Sequence, residues 1–264
     1  RPPTSTPKRS SAASDVYKRQ QLGIVCCLLP IVVGFIIPIT RLGFWASLWV
    51  GKNFEISFMK VIFNSLGLAI ASSFLAVLIS ILLVFSARYY QSSSVHATNR
   101  LAILGYSVPG AIIAMGMLIV AGQINNLTGL ILTGSISVLI FAYVIRFLAV
   151  AWQPIDSVME KTCDQLNSAS RSLGSFAFRS LIKINLPLLK NALLVAGLLV
   201  FIDTIKELPL TLILRPFNFE TLATLTFDLT AQAQISKSSV PALCIVFVTI
   251  VPILWLNRKM EYRS

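Results

Sequence analysis

Asp203, Lys206 and Glu207 are spaced i, i+3 and i+4, which places them on one face of a helix. They close an apolar run, and Pro209 and Arg215 follow soon after. Charges near a bilayer edge are costly unless paired or hydrated, so the cluster is a candidate functional site. Two uses fit it. Asp203 and Lys206 can form a local pair that anchors the helix end, or the whole stretch can line an outer gate or a partner's dock. Pro109-Gly110 interrupts a second apolar run and predicts a broken or bent helix. Transporters use such breaks where backbone lines a pathway; a packing kink is the plainer use.

Common catalytic patterns are missing. There is no G-x-x-x-x-G-K-[ST], no HExxH and no G-x-S-x-G, and His96 is the single histidine. An enzymatic reading has no support, and the chain lacks that device for cradling nucleotide phosphates. Cys26, Cys27, Cys163 and Cys244 have no CxxC spacing and three of them lie in apolar runs, so they read as reduced thiols rather than a metal site.

The elements that must position these residues follow from composition. Of 264 residues, 56% are hydrophobic and 12% charged, against about 25% charged in a soluble domain. Mean hydropathy is +0.80. Runs of about 20 apolar residues then read as membrane spans, which predicts an all-α membrane protein with six transmembrane helices near 21–45, 58–85, 101–123, 129–152, 188–205 and 240–256. Arg146 falls close to the cytoplasmic end of the fourth span, where a snorkelling, interfacial role is expected. Six spans put both ends of this region on the same side. Arg88, Arg100, Lys161, Arg171, Arg179, Lys183, Lys190, Arg258, Lys259 and Arg263 then share the inside, so the net charge of +12 reflects topology rather than nucleic-acid binding.

Residues 1–20 are rich in Pro, Ser and Arg without an apolar period; they are expected to be a disordered tail or a leader foreign to the rest. Residues 21–260 form the membrane domain, and 261–264 a cytoplasmic tail. Within that domain the loop 153–190 is the longest polar interval. Leu166, Ala169 and Leu173 share a helical face, Gly174 suits an αL stop, and Ser175 can cap a second short helix with Phe178, Leu181 and Ile182 on its apolar side. Leu186-Pro187 is expected to end that helix. Two short amphipathic helices joined at a glycine make a docking shape.

The loop resembles the cytoplasmic coupling (EAA) loop of type I ABC importer permeases, E-A-A-x3-G-x9-I-x-L-P. Gly174, Ile184, Leu186 and Pro187 match, while Ser168-Ala169-Ser170 replaces Glu-Ala-Ala. A second stretch, Lys206-Glu207-Leu208-Pro209-Leu210-Thr211-Leu212-Ile213-Leu214-Arg215-Pro216-Phe217, resembles the KELP…RPF signature of ferric-iron importer permeases, and the match continues through Asn218–Thr224. The resemblance covers Gln21 to about Met260 and implies the second six-helix half of a twelve-helix, MetI-like permease.

It further implies separate ATPase subunits that bind ATP and Mg, a periplasmic solute-binding protein, a second permease half, and an inner-membrane setting among lipid, with no cofactor on this chain. Ser168, Ala169, Arg171, Gly174, Phe176, Phe178, Arg179, Leu181, Ile184, Leu186 and Pro187 would then meet the ATPase. Asp203, Lys206, Glu207, Pro209 and Arg215 would serve the pathway or outer gate. Fe³⁺ is a hard cation that prefers oxygen, so Asp203 and Glu207 are its candidate ligands. Cargoes such as thiamine, polyamine or phosphonate fit the same class. A secondary transporter or channel would need inverted repeats and embedded ionisable residues, which the sequence does not display.

Overall fold

A computed structural model describes residues 11–49, 56–90, 93–172, 174 and 176–261. Every element among them is helical. α1 (Ser11–Ile31) passes through a π-helical turn (Val32–Ile36) into α2 (Ile37–Trp49). α3 (Ile56–Tyr90), α4 (Ser93–Ile103), a 3₁₀ turn (Leu104–Ser107) and α5 (Gly110–Thr128) follow. α6 (Ile136–Ser172) leads through α7 (Ala177–Ser180) and a second π turn (Leu181–Asn185) to α8 (Leu186–Ile205). Two short helices, α9 (Pro209–Leu214) and α10 (Leu222–Ala231), precede α11 (Ile235–Glu261). Six of the described helical stretches are long and apolar enough to cross a membrane: Gln20–Trp49, Ser57–Arg88, Gly110–Thr128, Ile136–Lys161, Phe178–Ile205 and Ile235–Lys259.

The core is α3, α6 and α8 packed on one another. On α3, Ser65, Ala69, Ser72, Ala76 and Ser80 are buried at three- and four-residue spacing. Without a hydrophobic force between helices in lipid, such small residues permit close approach and their hydroxyls bind the neighbours. Ser72 meets Thr204 of α8 at 3.3 Å. Ser80 donates to the Leu148 carbonyl of α6 at 3.3 Å, and Ser65 accepts from the Leu222 N–H of α10 at 2.7 Å. Leu139, Tyr143, Ile155 and Met159 of α6 and Leu189, Ala196 and Val200 of α8 complete the centre. α11 lies outside, against α2 and α10.

Several boundaries differ from the sequence expectation. Residues 11–20, expected to be structureless, are the first turns of α1; residues 1–10 lie outside the described part. Once an apolar span has nucleated a helix, extension upstream needs little. The third span begins at Gly110, not Leu101, because the backbone is extended at Val108 (ψ 131°) and Pro109 (ψ 136°). The interruption is complete rather than a bend. The fourth span begins at Ile136, not Gly129. Gly129 ends α5 at φ 73°, and the Asn125 side chain accepts from the Leu132 N–H at 2.6 Å, which fixes 129–135 as a loop.

Pro187 does not stop the helix: α8 is continuous with the turn before it. Both π turns stand one residue ahead of an X-Pro step, at Pro38 and Pro187. A wider turn there gives the proline ring room and tolerates the missing N–H. Cys26, Cys27 and Cys244 form no disulfide among the described residues; the Cys163 side chain lies outside them.

Candidate functional site

Two places on the fold carry the singled-out residues, one at each end of the α6–α8 pair. At the α6–α8 loop, Gly174 adopts φ +74°, the left-handed region expected of it. The side chains of Ser168, Ala169 and Arg171, and all of Leu173 and Ser175, lie outside the described residues; the backbone of 168–172 is the end of the long helix α6, not a separate short one. The second short helix is likewise one turn, α7, continuous with the π turn and α8. Phe176 is 82% and Phe178 72% exposed, with Arg179, Ile182, Leu186 and Pro187 also exposed and Ile184 half-buried. Leu181 is different. At 6% exposure it belongs to the bundle core, so it anchors the loop rather than offering itself to a partner.

The other place is inside the bundle. Glu207 lies past the end of α8 and is 8% exposed. Its Oε2 faces Arg146 Nε of α6 at 3.3 Å, an ion pair without the angle of a hydrogen bond. Arg146 Nη1 donates to the Val108 carbonyl at 2.9 Å, and its guanidinium stands 5.7 Å from the Phe147 ring centre. Glu207 Oε1 accepts from the Leu210 N–H of α9 at 3.5 Å. The Glu207 carbonyl takes a hydrogen bond from Thr211 Oγ1 at 2.7 Å, and that hydroxyl also meets Tyr143 Oη.

Gly110 closes the cluster. A Cβ there would stand 2.6 Å from Glu207 Oε1 and 2.9 Å from Arg146 Nη1, so only glycine leaves room. The carboxylate therefore sits at the first turns of both α5 and α9, where helix dipoles favour negative charge. The interruptions at 108–109 and at 206–208 face each other with the ion pair between them. Because Tyr143 meets Thr211 and Arg146 meets Glu207, α9 runs antiparallel to α6.

This overturns the expected place of Arg146. It lies ten residues from the start of α6, about 15 Å along the helix, and is half-buried with a partner rather than snorkelling at an end. The fourth span runs Ile136–Lys161 instead of ending near Trp152, which is the reason. Glu207 is buried beside it instead of standing exposed at an outer edge, and it does not share a helical face with Asp203 and Lys206 because α8 has already ended. The pair is also an embedded charge pair of the kind the sequence did not display.

Asp203 and Lys206 form the local pair, at 2.8 Å, with the Lys206 side chain 61% exposed. Pro209 opens α9, and Arg215, at its end, meets Asp228 at 3.3 Å. Both candidate iron ligands thus face a cation, and no group of three or more His, Cys, Asp or Glu side chains occurs among the described residues. Tyr143, Arg146 and Thr211 were not among the predicted site residues. The signal for Arg146 was present, as a cation inside an apolar run; nothing local marks Tyr143.

No protein-family model matches the chain. It is 27% identical over 227 residues to the Fe(3+)-transport system permease protein FbpB 2 of Haemophilus influenzae, an alignment covering 84% of this chain and 44% of that protein. The chain thus spans less than half the length of this curated relative. Its fold is that of the bacterial ABC transporter involved in import of the acidic polysaccharide alginate, with a TM-score of 0.76 at 13% identity, covering 97% of this chain and 100% of that one. The same transporter type in complex with an alginate pentasaccharide-bound periplasmic protein gives 0.72 at 15% identity, covering 92% and 95%. The resemblance to ABC importer permeases drawn from the two motifs holds in fold and in distant sequence.

Gly110→Ala should push the Glu207 carboxylate off Arg146 and lower stability by about 1–3 kcal/mol. Gly116→Ala, which meets nothing within 4 Å, should leave stability within about 0.5 kcal/mol. Thermal unfolding of both variants in detergent checks the contrast.

Proposed function

We propose that this chain is the membrane permease subunit of an ATP-driven importer whose cargo is ferric iron. The observation that carries the reading is the joint occurrence of an exposed aromatic turn, Phe176 and Phe178 beside the left-handed Gly174, with the KELP…RPF stretch folded onto α6 of the same bundle. The Fe(3+)-transport relative supports the choice of cargo. Alginate is a weaker alternative, since those transporters share 13–15% identity with this chain.

In this reading ATPase subunits seat on Phe176, Phe178 and Arg179 from the cytoplasm, ATP and Mg bind there and not here, and both ends of the six-helix region are cytoplasmic in an inner membrane. A periplasmic binding protein delivers cargo at the α5–α6 end. A second permease half completes the pathway. The Asp203–Lys206 pair stands at the outer end of the fifth span, with the lysine 61% exposed and so open to water or to a partner. Glu207 is engaged by Arg146, so it holds the gate's helices rather than ligating the ion. Switching requires ATPase and binding protein each to favour one conformation of the bundle.

Gly174→Val places a β-branched residue at φ +74°, at a local cost of about 1–2 kcal/mol. Its expected outcome is ATP hydrolysis that persists while iron uptake falls away, measured in vesicles holding the assembled transporter. Uptake equal to wild type would remove the coupling role. Radioactive iron accumulation that depends on both ATP and the binding protein tests the cargo; accumulation of another solute in its place would refute iron and leave the importer reading intact.

A further inference from the structure

A groove runs between α8 and α11 in two sections that share Leu193 and Leu194. The first section, about 330 Å³, is walled by Gly197, Leu198 and Phe201 on one side and Pro252, Trp255 and Leu256 on the other. The second section, about 480 Å³, is rimmed by Lys190, Asn191 and Lys259. Among the described residues no carboxylate lines either section. From Lys190 to Phe201 the helix rises about 16 Å, close to the half-thickness of a bilayer's hydrocarbon core. Lys259 Nζ lies 4.7 Å from the centre of the Trp255 ring, and an aromatic beside a cation is the usual composition of the headgroup level.

We propose that this groove binds an anionic phospholipid. The phosphate sits between Lys190 and Lys259 with the Asn191 amide as a further donor, and one acyl chain lies along Leu194, Gly197 and Phe201. Charge selects the occupant: basic pockets between helices at the membrane surface recruit acidic headgroups. An acidic headgroup gives both lysines a counter-charge, which no lining residue of this chain does. Gly197 lines the groove, and an added Cβ there would meet nothing nearer than Val77 Cγ2 at 3.7 Å, an ordinary contact.

The test is lipid retention by the full chain, extracted in mild detergent and titrated with phosphatidylglycerol or phosphatidylcholine under native mass spectrometry. Wild type should hold phosphatidylglycerol in preference. The Lys190→Gln/Lys259→Gln variant should lose roughly 30-fold in apparent affinity, at about fivefold per lysine near the surface. Lys190→Arg/Lys259→Arg should retain it, and Gly197→Leu should lose it with the charges intact. Equal retention by the glutamine variant, no preference between the two lipids, or a cross-link from Leu194→Cys to a second protein across the groove would each overturn the proposal.

Discussion

The arrangement inside the bundle depends on one buried ion pair. Removing a carboxylate and a guanidinium from water costs several kcal/mol per ion, and their mutual attraction offsets this only when the remaining lone pairs and protons are also met. Glu207 meets Arg146, the Leu210 N–H and the first turn of α5. Arg146 meets Glu207, the Val108 carbonyl and the face of Phe147. Those partners exist only because α4–α5 and α8–α9 are interrupted. An unbroken helix would keep Val108's carbonyl and Leu210's N–H for itself. The breaks supply the groups that make the pair affordable, and the pair holds the breaks in place.

The pair in turn requires α6 and α8 to be close, which the serine and alanine stripe on α3 permits. The same two helices run to the other end of the bundle, where Leu181 and Leu189 are in the core and Phe176 and Phe178 are not. In the proposed importer, force applied at the exposed turn is therefore delivered along α6 and α8 to the place where α4–α5 and α8–α9 are interrupted. Packed cores respond to such force by changing between discrete arrangements rather than by gradual deformation.

The six spans were legible because each is a long apolar run, and Gly174 because φ > 0 leaves few residues to choose from. The Asp203–Lys206 pair was legible too, being local. Contacts between distant segments were not. Nothing near residue 146 announces that Glu207 will lie beside it; the arginine looked peripheral because Gly129–Ser135 reads as apolar enough to continue a helix, and only the Asn125 and Gly129 geometry shows otherwise. The helix after Gly174 differs from its sequence pattern for a related reason. Proline usually marks a stop, but a π turn ahead of Leu186-Pro187 absorbs it, and that depends on the packing of Leu181 and Leu189.

A double-mutant cycle on the pair is the most direct measurement. Arg146→Met and Glu207→Leu should each lower unfolding free energy in detergent by about 3–5 kcal/mol, since each leaves an uncompensated buried charge. The double variant, with neither charge, should recover most of that loss. Two small losses that simply add would mean the groups do not act on each other, and the interruptions would need some other tie.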